Sequence, residues 1–193
     1  MPSEGHPCHG RAITPIIPQQ DRVPKVKPFR AFLAQGLIFW GTTLLIVDTW
    51  PRLSLNPGDY CFTHSLRVRF AETDAMGIVH HSRYLPYLEE ARVEYLRSVG
   101  HPYTENRQNG FDFAVLESHL RYRAPLRFDD VVTVHLQPVE FTGATFTLDY
   151  LLTSQQQSPQ LAVCTVARTV HAYVDSTGRP HRLPSWIKEL VPK

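Results

Sequence analysis

Between Leu66 and Val99 the hydrophobic period of this chain changes once, from two to about 3.6, across a short polar turn. Leu66, Val68 and Phe70 alternate with Arg67 and Arg69, the pattern of a half-buried strand with Phe70 on its apolar face. From Tyr84 the spacing is helical: Tyr84, Leu88, Ala91 and Tyr95 share one face, with Leu85, Leu96 and Val99 beside it. Between the two lies Thr73-Asp74-Ala75-Met76-Gly77-Ile78-Val79-His80-His81. A carboxylate therefore stands where a strand ends, and two imidazoles stand where a helix begins. Helix starts carry N–H groups without intrahelical partners, which suit developing negative charge.

Only strands of any length follow that helix. Phe113 to Arg123 reads as a strand whose apolar parity shifts near Glu117, the mark of a bulge. Val132, Val134 and Leu136 alternate with Thr133, His135 and Gln137, and Phe146, Leu148, Tyr150 and Leu152 with Thr145, Thr147 and Asp149. Phe141-Thr142-Gly143-Ala144 is the hairpin between them. Gln155 to Gln160 is a polar connection, and Leu161 to Val174 is a long strand closed by Asp175-Ser176-Thr177-Gly178. Pro184 to Leu190 reads as a short helix with proline in its first turn. Five mostly antiparallel strands and one long helix make an α+β layer architecture. To bury Tyr84, Leu88, Ala91 and Tyr95 the sheet must curve around the helix.

The first sixty residues differ in kind. Residues 1–30 are dotted with prolines and lack apolar periodicity, as an extended tail would. His6-Pro7-Cys8-His9 has metal-ligand residue types but no structural zinc spacing. Ala31 to Val47 carries no charge and sits at the lower length limit of a membrane span, roughly 17 residues. Lys25, Lys27 and Arg30 precede it and would hold its N-terminal side inside. Asp48-Thr49-Trp50-Pro51 is a poor signal-cleavage site. We read residues 1–60 as an extension, native or from an over-extended start, with the marginal apolar segment 31–47 as an alternative membrane anchor. Leu53 to His64 reads as a linker with a turn at Asn56-Pro57-Gly58-Asp59, and residues 61–193 form the domain.

The 193 residues accommodate one domain beside this extension, and 42% apolar content is enough for a core. A net charge of +2 with scattered arginines gives no nucleic-acid footprint. Cys8, Cys61 and Cys164 are odd in number and widely spaced, so they make neither a disulfide framework nor a metal knuckle. Cys164 fits a small core residue, and a reducing, cytoplasmic location follows.

The stretch Thr73 to His81, then Tyr84, then Glu89-Glu90-Ala91-Arg92-Val93-Glu94, resembles the 4-hydroxybenzoyl-CoA thioesterase family of hotdog-fold proteins, most of all its YbgC-type acyl-CoA thioesterase branch. Tyr122-Arg123-Ala124-Pro125-Leu126-Arg127-Phe128-Asp129-Asp130 is similar to the family's second signature. The resemblance spans residues 66–191. It implies a hotdog: a curved five-stranded sheet wrapped around one long central helix. It also implies a homodimer or homotetramer with sites at an interface, and hydrolysis of acyl-CoA, or of acyl carrier protein thioesters, to a free acid without a cofactor.

By the same resemblance Asp74 is the catalytic carboxylate and His81 its assistant. Gly77, Ile78, Val79, His80 and Tyr84 are the substrate-binding residues. From the residues alone, Asp74 is either a general base or nucleophile or the cap of a turn. His80 stands where the pattern has tyrosine, and so does Phe70, which has no hydroxyl to donate. Glu72 ranks below His81 as a site residue. Glu89 and Arg92 read as an i,i+3 ion pair, and Asp129-Asp130 as a solvated strand start. Arg123, Arg127, Arg179 and Arg182 are candidates for the phosphates of CoA. No metal spacing and no glycine-rich phosphate loop is present. The alternatives are a non-catalytic acyl-CoA-binding hotdog module, and a hotdog hydratase or dehydratase. Enzymes of the latter kind set their Asp and His closer together than Asp74 stands to His80 or His81.

Overall fold

The computed structural model describes residues 52–155 and 161–190. The tail, the apolar run 31–47 and most of the connection Gln155–Gln160 lie outside the described residues. The first turn forms as its composition predicts. The Asn56 side chain accepts the Gly58 N–H at 3.2 Å and caps a 3-10 turn, Pro57–Asp59. The linker ends sooner than expected, because β1 is Phe62–Arg67. After β1 come α1 (Tyr84–Ser98), α2 (Tyr103–Gln108), β2 (Phe111–Tyr122), β3 (Val131–Phe141), β4 (Thr145–Ser154), β5 (Ala162–Asp175) and α3 (Ser185–Lys188). The sheet order is β1-β3-β4-β5-β2, and every neighbouring pair is antiparallel.

The predicted helix face is the buried one. Tyr84, Tyr87, Leu88, Ala91, Tyr95 and Leu96 pack into one cluster with Val132, Val134, Leu136, Leu148, Tyr150 and Leu152 of the sheet. Each such aliphatic side chain contributes about 1.5–3 kcal/mol on burial, so this shared core, more than intrinsic propensity, holds α1. Leu85 is instead 42% exposed. Tyr84 meets Tyr122 at the end of β2 with ring centroids 4.9 Å apart, and Tyr95 meets Phe62 of β1 at 5.4 Å. The helix thus crosses the sheet from one edge strand to the other. The parity shift in β2 is a real bulge: Val115 pairs with His171 and Glu117 with Val170, leaving Leu116 between them. A second irregularity, between Pro138 and Glu140 of β3, was not foreseen.

Two expectations are corrected, and one helix was not foreseen. Phe70 is not on a strand face. β1 stops at Arg67, the backbone of Asp129 and Asp130 engages both polar groups of Val68, and the chain turns through a 3-10 segment, Phe70–Glu72. Phe70 is left 75% exposed, edge-on to Phe128 at 5.6 Å. Helix α2 escaped notice because Tyr-Thr-Glu-Asn-Arg-Gln is short and polar and shows no period. Asp130 is buried rather than solvated, and its carboxylate accepts the Arg127 N–H at 2.8 Å. Among the described residues no helix is long and apolar enough to cross a membrane.

Candidate active site

The loop from Thr73 to Val79 closes on itself. Thr73 and Val79 form an antiparallel bridge, the Asp74 N–H donates to Ile78 O at 2.9 Å, and the Gly77 N–H donates to Asp74 O at 2.9 Å. Gly77 has φ +71°, where an L side chain is strained, so the turn depends on its glycine. The loop is held from both sides: Val79 N–H donates to Leu126 O, and His80 N–H to Glu72 O. Arg127 Nη1 approaches Gly77 O at 3.4 Å.

Glu72 anchors this arrangement from below. It is 4% exposed and accepts four hydrogen bonds: from Arg69 N (2.8 Å), Nε (2.9 Å) and Nη2 (2.6 Å), and from Tyr87 Oη (2.7 Å). Burial pushes its carboxyl up, but these donors outweigh that and hold it below the usual carboxylate range. Glu72 is therefore committed to structure.

Asp74 is half-buried and fixed by its own turn, one carboxylate oxygen accepting the Met76 N–H at 2.8 Å. That bond is the turn-capping role, and it occupies Oδ1 only. The residue also lines a cavity of about 490 Å³ with Met76, Ile78, Val79, His81, Tyr84, Tyr122, Arg123, Ala124 and Pro125. Asp74, His81, Ile78, Val79 and Tyr84 are thus brought to one wall. Gly77 shapes the loop without lining the cavity. His80 turns its ring to Ser82 (Nδ1 to Oγ 2.9 Å), where it caps the 3-10 turn His81–Arg83, and packs at a tilt against His81 with centroids 4.0 Å apart. Burial pushes the Tyr84 hydroxyl up to about 12, so it stays neutral.

The second wall, Tyr122 to Pro125, comes from the segment singled out downstream, which was given candidate phosphate-binding arginines but no catalytic role. Tyr122 Oη donates to His81 O at 2.9 Å and ties the end of β2 to the start of the helix. No local pattern reveals that bond, because the partners lie far apart in sequence and meet only when the sheet forms. Of the four candidate arginines, Arg123 lines the cavity and Arg127 touches its loop. Arg179 sits beside Asp175, which is paired with Phe111 at the opposite end of β2, roughly 35 Å away along the strand. Glu89 and Arg92 make no ion pair; of the other acidic residues of α1, Glu94 pairs with Arg97, and Glu90 meets His64 Nε2 at 3.0 Å. Among the described residues no group of three metal-ligating side chains occurs.

The family model for the thioesterase-like superfamily matches residues 68–191. A protein of Aquifex aeolicus (strain VF5), provisionally named an esterase, is 41% identical over 130 residues, covering 67% of this chain and 97% of its own. The acyl-CoA thioesterase YbgC of Haemophilus influenzae is 34% identical over 97 residues, covering 49% of this chain and 70% of its own. A crystal structure of an Aquifex aeolicus hypothetical protein superimposes with a TM-score of 0.62 at 39% identity, over 68% of this chain and all of that one. With a model match over more than half its length and a hotdog sheet and helix, the chain belongs to the thioesterase-like superfamily.

Proposed function

We propose that the chain hydrolyses acyl-CoA thioesters to the free carboxylic acid and CoA, with Asp74 as the acting carboxylate. The observation that carries this reading is the division of labour within Asp74. One oxygen is tied to the Met76 N–H and fixes the group, while the residue faces a largely apolar cavity large enough for an acyl carbonyl. Its second oxygen acts on the thioester in one of two ways. It takes a proton from water as that water adds to the carbonyl, or it adds itself, releasing CoA thiolate and leaving a mixed anhydride that water then opens. In both, negative charge develops on the carbonyl oxygen. The N–H groups of Ile78 and His81, which none of the loop's hydrogen bonds described above uses, are the donors for it. His81 orients carbonyl or water from the same wall, and Arg123 and Arg127 are positioned for the phosphates of CoA.

We further propose a homodimer, or a tetramer built from it. Among the described residues β2 is an edge strand paired only with β5, and it exposes Val115 and Leu116 side by side. A cytoplasmic setting accords with the free thiols of Cys61 and Cys164. An acyl carrier protein is the alternative carrier.

The test is an acyl-CoA hydrolysis panel with wild type beside Asp74→Asn, which keeps shape and removes basicity. Turnover falls by roughly 10²–10⁴-fold if the carboxylate is the base. Near wild-type turnover in Asp74→Asn removes the assignment, and acyl-CoA binding without hydrolysis in wild type turns the reading to a binding module.

A further inference from the structure

A second cavity, about 370 Å³, lies between α1, α2 and the strands β2, β4 and β5. It shares no lining residue with the Asp74 cavity. Its wall holds an arginine with one guanidinium nitrogen unpaired. Arg92 is 4% exposed, its guanidinium lies 5.5 Å from the centre of the Tyr103 ring, and its Nη1 is buried without a hydrogen-bond partner. A buried cationic donor left unmatched is strongly disfavoured. Glu89, one turn earlier, stands exposed at the rim and makes no ion pair with it.

Opposite Arg92 is a short relay of neutral groups. Thr169 Oγ1 donates to Tyr150 Oη at 3.3 Å, and Thr169 Oγ1 and His171 Nε2 are 2.7 Å apart. Three groups supply three hydrogens to two bonds, so one donor is always left over. With Thr169 donating to Tyr150 it is the Tyr150 hydroxyl; with the relay reversed it is His171 Nδ1–H, an atom that has no protein partner. Burial, then the charge of Arg92, pushes the His171 imidazole down to about 3, so it remains neutral. The cavity thus offers one cationic donor and one neutral donor, with Tyr103 and Phe113 as aromatic walls.

We propose that this cavity binds an aromatic monocarboxylic acid, its carboxylate between Arg92 Nη1 and the donor end of the Tyr150–Thr169–His171 relay, its ring against Tyr103 and Phe113. One cation matches one negative charge, and Glu89 at the rim repels a second, which disfavours a phosphate or a dicarboxylate. The site is independent of the thioesterase reading, because none of its residues belongs to the Asp74 cavity.

Calorimetric titration and thermal unfolding of the full chain with sodium benzoate, beside the neutral isostere benzamide, test the proposal. Benzoate binds saturably and raises the unfolding temperature, and benzamide binds at least tenfold more weakly. Arg92→Met loses benzoate at least tenfold, while Asp74→Asn keeps it. Thr169→Val, which breaks the relay while conserving volume, weakens benzoate several-fold and provides the decision if Arg92→Met does not fold. Equal affinities for benzoate and benzamide, undiminished binding in Arg92→Met, or no saturable binding at millimolar benzoate overturns the proposal.

Discussion

Replacing Tyr87 with phenylalanine removes one hydroxyl from beneath the Asp74 loop and isolates what Glu72 contributes. Of the four bonds to that carboxylate, the three from Arg69 come from a residue at the surface, whereas the 2.7 Å bond from Tyr87 joins two buried groups. Water does not replace it. A buried hydrogen bond to a charged acceptor is worth about 1.5–3 kcal/mol. For a domain of this size that lowers the unfolding temperature by roughly 5–10 °C. The pH dependence carries the sharper test. Glu72 is held below the ordinary carboxylate range, so its contribution is complete above the unfolded value of about 4.3 and is lost as pH falls through the lower folded value. The stability gap between wild type and Tyr87→Phe is therefore full at neutral pH and closes below about pH 4. Chemical denaturation at neutral and acidic pH measures it. A neutral-pH loss under about 0.5 kcal/mol, or a gap indifferent to acid, would refute the view that this bond holds a charged Glu72.

His81→Ala lowers acyl-CoA turnover less than Asp74→Asn and leaves thermal unfolding unchanged; equal activity to wild type across acyl lengths would reduce it to a structural residue. Tyr122→Phe releases the His81 carbonyl at a cost of about 0.5–1.5 kcal/mol and lowers turnover, read by denaturation and hydrolysis together. Light scattering at micromolar concentration finds at least a dimer, and Leu116→Lys, placed on the β2 edge, shifts it toward monomer. A stable, fully active wild-type monomer contradicts the paired-edge arrangement.

How much of this was legible beforehand follows from the range over which each feature is encoded. The strands around Val132, Phe146 and Val166, and the helix from Tyr84, announce themselves by period, because their burial is decided face by face. The Asp74 turn was legible from Gly77 and its neighbours, all within a few residues. The far wall at Tyr122, the Glu72–Tyr87 bond and the burial of Asp130 were not. The first two depend on a partner that the sheet or helix brings close only after folding, and Asp130 is covered where its carbonyl accepts the N–H of Val68, far upstream in the chain. The Glu89–Arg92 pair failed for a related reason. Helical spacing places two side chains within reach of each other, but Arg92 turns inward over Tyr103, a residue of the helix that had no visible period.

The bulge at Leu116 has a consequence for how such a site can be altered. Before it, Phe113 and Val115 face the helix side of the sheet; after it, Ser118, Leu120 and Tyr122 do. Odd positions hand the inner face to even ones at a single unpaired residue. Tyr122 reaches His81 only because of that exchange. Point substitutions leave the count intact and can only change what stands at each place, whereas loss of one paired residue between Glu117 and Tyr122 would turn Tyr122 outward and bring Arg121 or Arg123 to the helix face. In this strand, chain length is itself a determinant of the site, and an alignment gap between the bulge and Tyr122 would signal a larger change than any replacement.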